Sequence, residues 1–280
     1  MEQVKKSIMV TWDFSAVSYS ALKHAIRMSH IVKYNIVLFH IVDEPAETEA
    51  AKEKLRKVLV EIKEEFGSEV SFFVNHGKIF KEVAEYASKE ENRVDFVVMG
   101  THGMKGNQKL FGSWALKVIA GSTVPFIVVQ SDPPEKDRYS DIVFPIDFKS
   151  ENKEKLQWAI FLGKYLNSKI HLYKTPIGDK DLQKKVNVNL NFAIRFLIQN
   201  NIDYEIHSAP KSAHFHKDLL AFSKKIKADL ILITTTKHIT KADYIFGAKE
   251  QYLISNAEKI PVMCVNPKSN FATVGQFMYG

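Results

Sequence analysis

The segment Met99-Gly100-Thr101-His102-Gly103, followed after eight residues by Gly112-Ser113, carries residue types that can hold a phosphorylated ligand. An apolar run, Val94 to Met99, stops at its start, and a helical pattern takes over near Gly112. Glycine at a strand end leaves no Cβ between a ligand and the backbone. A helix opening on Gly-Ser offers free N–H groups and the positive end of its dipole to an anion. Lys105 and Lys109, in the connecting loop, add positive charge. Asp13, just after the first apolar run, can accept ribose hydroxyls. The stretch Ile41-Val42-Asp43, after the second run, can offer an adenine ring a flat wall and a readable backbone edge.

Other chemistry is weakly marked. The chain has no G-x-x-x-x-G-K-[S/T], no G-x-S-x-G and no H-E-x-x-H, which excludes the P-loop, serine-hydrolase and zincin patterns. Gly103-Met104-Lys105-Gly106 is too short for a dinucleotide fingerprint. His102 reads as a loop spacer rather than a general base, and no catalytic residue is assigned. His214-x-His216 has chelating spacing if extended. With no third ligand beyond His207, and with a helix expected over Lys217–Lys227, it reads as a surface pair, so no metal is expected. The single cysteine, Cys264, lies in an apolar run and reads as buried packing. The net charge of +7 comes from 39 basic residues interleaved with 32 acidic ones, the pattern of solvated helix faces rather than of a nucleic-acid groove. No apolar run reaches the roughly 18–20 residues a membrane span needs. The charged start leads into only Ile8–Trp12, too short for a signal-peptide core. The expected location is cytoplasmic, with no nucleic-acid or membrane partner.

The elements that must position these residues repeat. Asp13-Phe14 and Asp147-Phe148 lie 134 residues apart, as do Asp95 and Asp229. Gly112 pairs with Gly247 at 135, and Pro125 with Pro261 at 136. This is a tandem duplication. Residues 1–131 and 138–268 form the two copies, 132–137 a proline-broken linker and 269–280 a tail. Strands are expected at Ser7–Trp12, Ile36–Val42, Val70–Val74, Val94–Met99 and Phe126–Val129. In the second copy they fall at Asp141–Ile146, Lys169–Tyr173, Tyr204–His207, Leu230–Thr234 and Val262–Val265. The segments between show helical spacing, as in Ser15–Val32 and Glu47–Phe66, with Ser15 and Thr48 as N-cap candidates. Alternation of this kind predicts an α/β protein of two tandem doubly wound domains, each a five-stranded parallel sheet flanked by helices.

The first copy resembles a universal stress protein domain, whose nucleotide-binding members carry G-x2-G-x9-G-[S/T] after the fourth strand. The Thr11-Trp12-Asp13-Phe14-Ser15 opening, the second strand Leu38 to Asp43 and the ending Pro125 to Val129 match as well. The resemblance extends over both copies. It implies strand order 3-2-1-4-5 and ATP, with Mg, held without a P-loop. The ligand contacts it implies are Asp13, Ile41, Gly100, Gly103, Gly112 and Ser113, with Met99 beside them. It also implies pairing through last strands, here as an intramolecular pseudo-dimer, with a homodimer of the tandem left open. Two departures stand out: eight residues rather than nine separate Gly103 from Gly112, and Trp114 follows Ser113. The second copy keeps Asp147 but has Thr234, Lys237 and Ala248 where the first has Gly100, Gly103 and Ser113. Nucleotide binding is therefore expected in the first copy, in a stress-response or signalling role with protein partners unspecified. ATP hydrolysis, if any, should be slow. Two readings stay open beside it: an interaction module without nucleotide, and an enzyme of the adenine-nucleotide α-hydrolase group.

Overall fold

A computed structural model of the chain describes residues 5–101, 118–119, 121–148, 152–210, 214–235 and 248–266. The first half runs β1 (Ser7–Trp12), α1 (Ala16–Val32), β2 (Asn35–Val42), α2 (Thr48–Phe66), β3 (Val70–His76), α3 (Ile79–Ser88), β4 (Val94–Gly100) and β5 (Phe126–Val129). The second runs β6 (Asp141–Ile146), α4 (Asn152–Leu166), β7 (Lys169–Lys174), α5 (Lys180–Gln199) and β8 (Tyr204–Ser208). It continues through α6 (Phe215–Lys225), β9 (Leu230–Thr234), α7 (Ala248–Ile254) and β10 (Val262–Val265). Every expected strand is present, lengthened by at most two residues. Two helix boundaries differ. A short 3-10 turn at Pro45–Glu47 puts Glu47 at the cap of α2, so Thr48 is its first helical residue. The helix read as Lys217–Lys227 begins at Phe215, which places His216 inside it. Among the described residues no helix is long and apolar enough to cross a membrane.

The ten strands form one sheet in the order β3-β2-β1-β4-β5-β10-β9-β6-β7-β8. Each half has the order 3-2-1-4-5, all parallel, and the halves join where β5 and β10 pair antiparallel. The 134-residue offset survives in the register: Ile36 faces Val70 and Ile170 faces Tyr204, while Met9 faces Val97 and Val143 faces Ile231. Period-2 alternation sends Ile8, Val10, Trp12 and Val98 to the face covered by α1 and α2. Met9, Val37, Phe39, Val97 and Met99 go to the face covered by α3. In the second half α4 and α5 cover the first of these faces and α6 and α7 the other.

Among the described residues two polar devices help to join the halves, beside the apolar contacts of Phe96 with Trp158 and Tyr34 with Phe161. At the seam, Met263 faces Ile127 at the centre of the β5–β10 pair. Gln130 Nε2 donates to the carbonyls of Ile254 (3.3 Å) and Asn256 (3.0 Å) in the other half. Asn266 Nδ2 returns the contact, donating to Ser122 O (2.6 Å) and to Ile119 O. Ile119 O also accepts from Ser122 N (3.2 Å) and Asn256 O from Lys259 N (3.1 Å), so at these two carbonyls the amide from across the seam is a second donor. The second device clamps the linker to α1. Ser20 Oγ and Lys23 Nζ donate to the Asp132 carboxylate (2.6 and 2.7 Å). His24 Nε2 donates to Ser131 O (3.0 Å), and its Nδ1 accepts from the Tyr139 hydroxyl. Burial pushes the His24 pKa down to about 4, and the neutral ring it enforces is the form this network needs.

Candidate functional site

In a doubly wound sheet ligands bind beyond the strands' carboxyl ends, where strand order reverses. In the first half that point lies between β1 and β4, neighbours whose connections leave to opposite faces. Asp13 is exposed immediately beyond β1. Its Oδ1 accepts from the Ser15 N–H (3.0 Å) and from the Ser15 hydroxyl. The chain turns sharply here, with Phe14 at φ 62°. Ser15 caps α1 by accepting from Ser18 N (3.3 Å). The carboxylate is thus tied to the start of the helix by local bonds rather than left to sample rotamers.

The other expected contacts divide between the two faces. Ile41 packs, half-buried, against the cluster that contains Met99. These two therefore share the α3 face, as a wall for one side of a planar ring would require. Gly100 belongs to the opposite face. A Cβ there would stand 2.6 Å from the Val17 carbonyl carbon, 3.1 Å from Ser18 N and closer still to the Val17 oxygen. Its φ is not in the positive range. Gly100 therefore has to be glycine for the first turn of α1 to lie against it, and no left-handed turn requires it. The next residue, Thr101, is buried and its N–H bonds Val129 O at 2.8 Å. His102, Gly103, Lys105, Lys109, Gly112, Ser113 and Trp114 lie outside the described residues, as do Lys237 and Gly247.

The equivalent end of the second half is built differently. Asp147 again follows the first strand, but Asn189 Nδ2 donates to its carbonyl at 2.8 Å. Beneath it the ammonium of Lys155, 3% exposed, donates to Pro145 O at 2.6 Å and lies 4.1 Å from the Phe144 ring centre. Burial pushes the Lys155 pKa down to about 8, against the pull of the nearby Asp147 carboxylate. At the offset of 134 Lys155 replaces Ala21 of the first half, a fully buried apolar residue, while Asn189 stands beside Leu190, the buried counterpart of Leu55 at an offset of 135. Sequence reasoning passed over Lys155 and Asn189. Each sits in a helix rich in polar residues, and only the face it occupies marks it.

The histidines also sort differently from their sequence spacing. His214, at the cap of α6, and His216, in its first turn, have ring centres 6.3 Å apart. His207, the third ligand considered for that pair, lies instead against His171 of β7, with 3.1 Å between ring nitrogens. Cys264 is buried in β10, as its apolar surroundings predict.

Residues 5–130 match the model of the universal stress protein family. Over 152 residues the chain is 32% identical to a universal stress protein of Methanocaldococcus jannaschii, covering 49% of this chain and 87% of that one. Among solved structures, a universal stress protein from Archaeoglobus fulgidus DSM 4304 superposes at TM-score 0.75 with 20% identity, over 94% of this chain and 97% of that chain. A protein of unknown function from Pseudomonas aeruginosa PAO1 superposes at 0.61 with 15% identity, over 95% and 94%. The structural matches carry the fold, and the sequence matches carry the kinship. On the latter, the chain belongs to the universal stress protein family.

Proposed function

We propose that the first half binds ATP or a related adenine nucleotide at the carboxyl ends of β1 and β4, and that the chain acts in a cytoplasmic stress response or in signalling. The observation that carries this reading is the Asp13 carboxylate, exposed and tethered at the strand-order reversal, with Ile41 and Met99 sharing one face beside it. A carboxylate there suits ribose hydroxyls, and the paired apolar residues suit an adenine ring. The phosphates, with any Mg they carry, fall to Gly103, Gly112 and Ser113, and the domains are taken as residues 1–131 and 138–268. The second half, with Lys155 and Asn189 beneath its strand ends, serves as a structural or regulatory partner. Occupancy regulates only as far as the nucleotide prefers one conformation of the chain or of its complex.

Mass spectrometry of small molecules released from the purified chain should find an adenine nucleotide, or millimolar ATP with magnesium should raise its melting temperature. Asp13→Ala should abolish the shift and Asp147→Ala should leave it. Protein that carries no nucleotide and shows no shift would sink the reading. Turnover should be slow, since no general base is assigned.

One observation favours a second reading, an interaction module without nucleotide: the packing of α1 already requires a glycine at position 100. That reading predicts no shift with ATP in the parent chain and a normal melting temperature for Asp13→Ala.

A further inference from the structure

At the outer edge of the second half, β7 and β8 bring three metal-ligating side chains to one point. The register sets His171 opposite Glu205 and Tyr173 opposite His207. His171, Glu205 and His207 therefore share one face of the sheet. His171 Nδ1 lies 3.1 Å from His207 Nε2, and Glu205 Oε2 lies 3.7 Å from the first and 3.5 Å from the second. Atoms at these separations are all reached from a single point about 2 Å from each, the length of a zinc–nitrogen or zinc–oxygen bond.

The surroundings orient the set. His171, with 6% of its side chain exposed, points Nε2 at the Asp141 carboxylate of β6, 2.9 Å away. With that N–H donated, the Nδ1 lone pair faces the cluster, the carboxylate–histidine arrangement that fixes a ligand's tautomer and raises its basicity. Lys169 holds Glu205 by its other oxygen, Oε1, at 2.8 Å, leaving Oε2 to the two histidines. The Phe222 ring of α6, 4.6 Å from the His207 ring centre, makes an apolar wall. The same lattice points in the first half hold Val37, Ser71 and Phe73, and there Phe73 stacks on Phe39 and packs on Tyr86. Apolar packing thus satisfies this position of the fold, and the strand pairing itself does not call for a His₂Glu set.

We propose that His171, Glu205 and His207 form a binding site for one divalent transition-metal ion of the zinc class, with Asp141 as the positioning residue behind His171. Two nitrogens and one carboxylate oxygen suit zinc, cobalt or nickel rather than calcium or magnesium. Three protein ligands leave a coordination position on the exposed side, where Glu205 and His207 form the rim. Such an ion would also pin the edge strand β8 to β7. The proposal is independent of nucleotide binding in the first half.

The test uses the full chain with no histidine tag, stripped by a chelator and then titrated with Zn(II) by calorimetry and with Co(II) by absorption. The expected result is one ion per chain, cobalt d–d bands of a four- or five-coordinate site, and a zinc-dependent rise in melting temperature. His207→Ala and Glu205→Ala change rim residues, so both should fold, and each should weaken binding more than Asp141→Asn, expected at about 10- to 100-fold. His214→Ala/His216→Ala should bind as the parent does. Absence of stoichiometric binding, which would leave the histidine pair a plain hydrogen bond, overturns the proposal. So does binding unchanged in His207→Ala and Glu205→Ala, or loss only in the His214/His216 variant.

Discussion

The two halves of this chain share one strand order, at offsets of 134 to 136 residues, and differ in where they place polarity. In the first half the core beneath the ligand end is apolar, with Ala21 and Leu55 buried there. Its outer edge is apolar too, with Phe39, Phe73 and Tyr86 packed together. In the second half both regions are polar: Lys155 and Asn189 lie beneath the strand ends, and His171, Glu205 and His207 stand at the edge. A duplicated sheet keeps its register because a one-residue slip would turn every core side chain to the wrong face. Within that constraint single positions can change character. The comparison shows two halves with one scaffold and differently placed polar side chains.

Gly100 gives the hardest test of that contrast. Its missing Cβ is filled by the backbone of α1, so Gly100→Ala forces strand and helix apart. It should destabilise the chain by about 3 kcal/mol in urea unfolding, the upper range for overpacking. The aligned position in β9 already carries a side chain, and Thr234→Gly should change stability by no more than about 1 kcal/mol. Equal effects at the two positions would mean that the first turns of α1 and α4 meet the sheet alike. Loss of stability in Gly100→Ala without nucleotide present would also show that this glycine answers to packing first.

Acid separates the halves next. His24 in α1 corresponds at the same offset to Trp158 in α4, which packs on Phe96 and Phe161. The folded state holds His24 neutral down to about pH 4, whereas an unfolded histidine protonates near pH 6.5. Between those values the unfolded chain binds the extra proton. The stability from this group is complete above pH 6.5 and falls as the pH drops toward 4, by up to ~3 kcal/mol. His24→Phe, which cannot protonate, should flatten that part of the stability–pH curve while weakening the linker clamp at neutral pH. A curve of unchanged slope would show that His24 is not the group responsible.

Much of this was legible in the sequence, for identifiable reasons. Strands buried on both faces read as continuous apolar runs, so β4, β5, β9 and β10 announce themselves, and the repeat fixes their partners in the other half. The N-cap at Ser15 was legible because its bond is local. The extra turn before α2 was not, since Pro45–Glu47 form a 3-10 turn that shifts the cap by one residue. Sites made by register were also hidden. His171 and His207 lie 36 residues apart and meet only once β7 and β8 are aligned, whereas the spacing of His214 and His216 can be read from the sequence directly. Lys155 looked like one more charge in a charged helix, and only the sheet beneath it shows that it faces inward. The packing demand on Gly100 was hidden for the same reason, because the Val17 backbone that excludes a Cβ comes from another element.

Lys155 is the alkaline counterpart of His24. Burial depresses its pKa to about 8 from 10.5. Between those values the unfolded chain again binds more protons, so stability should rise with pH from about 8 to 10.5. Below pH 8 the buried charge is a standing destabilisation of ~3 kcal/mol at most, offset by the bond to Pro145 O and by Asp147. Lys155→Met should remove the alkaline rise and leave a net gain of about 1–2 kcal/mol at pH 7, because the Pro145 carbonyl loses its donor. A destabilised Met variant with the rise intact would mean that the ammonium is better solvated than its burial suggests, and the second half's ligand end would then be open.

The seam predicts the smallest effects and the most symmetric ones. Gln130 and Asn266 reach across β5 and β10 to carbonyls at equivalent places, Ile254 and Asn256 on one side, Ile119 and Ser122 on the other. Removing either amide should take the cross-seam donor from two carbonyls, of which Ile119 O and Asn256 O keep a local backbone donor, at about 1 kcal/mol per variant. Asn266→Ala should have the larger effect, because Asn266 Oδ1 also accepts from the Thr235 hydroxyl. The amides lie on opposite sides of the antiparallel pair and share no partner, so the double variant should lose the sum of the two. A loss well beyond that sum would mean that each amide holds the seam in register for the other. The halves would then be coupled through β5 and β10, and a ligand bound at Asp13 would have a mechanical route to the polar edge of the second half.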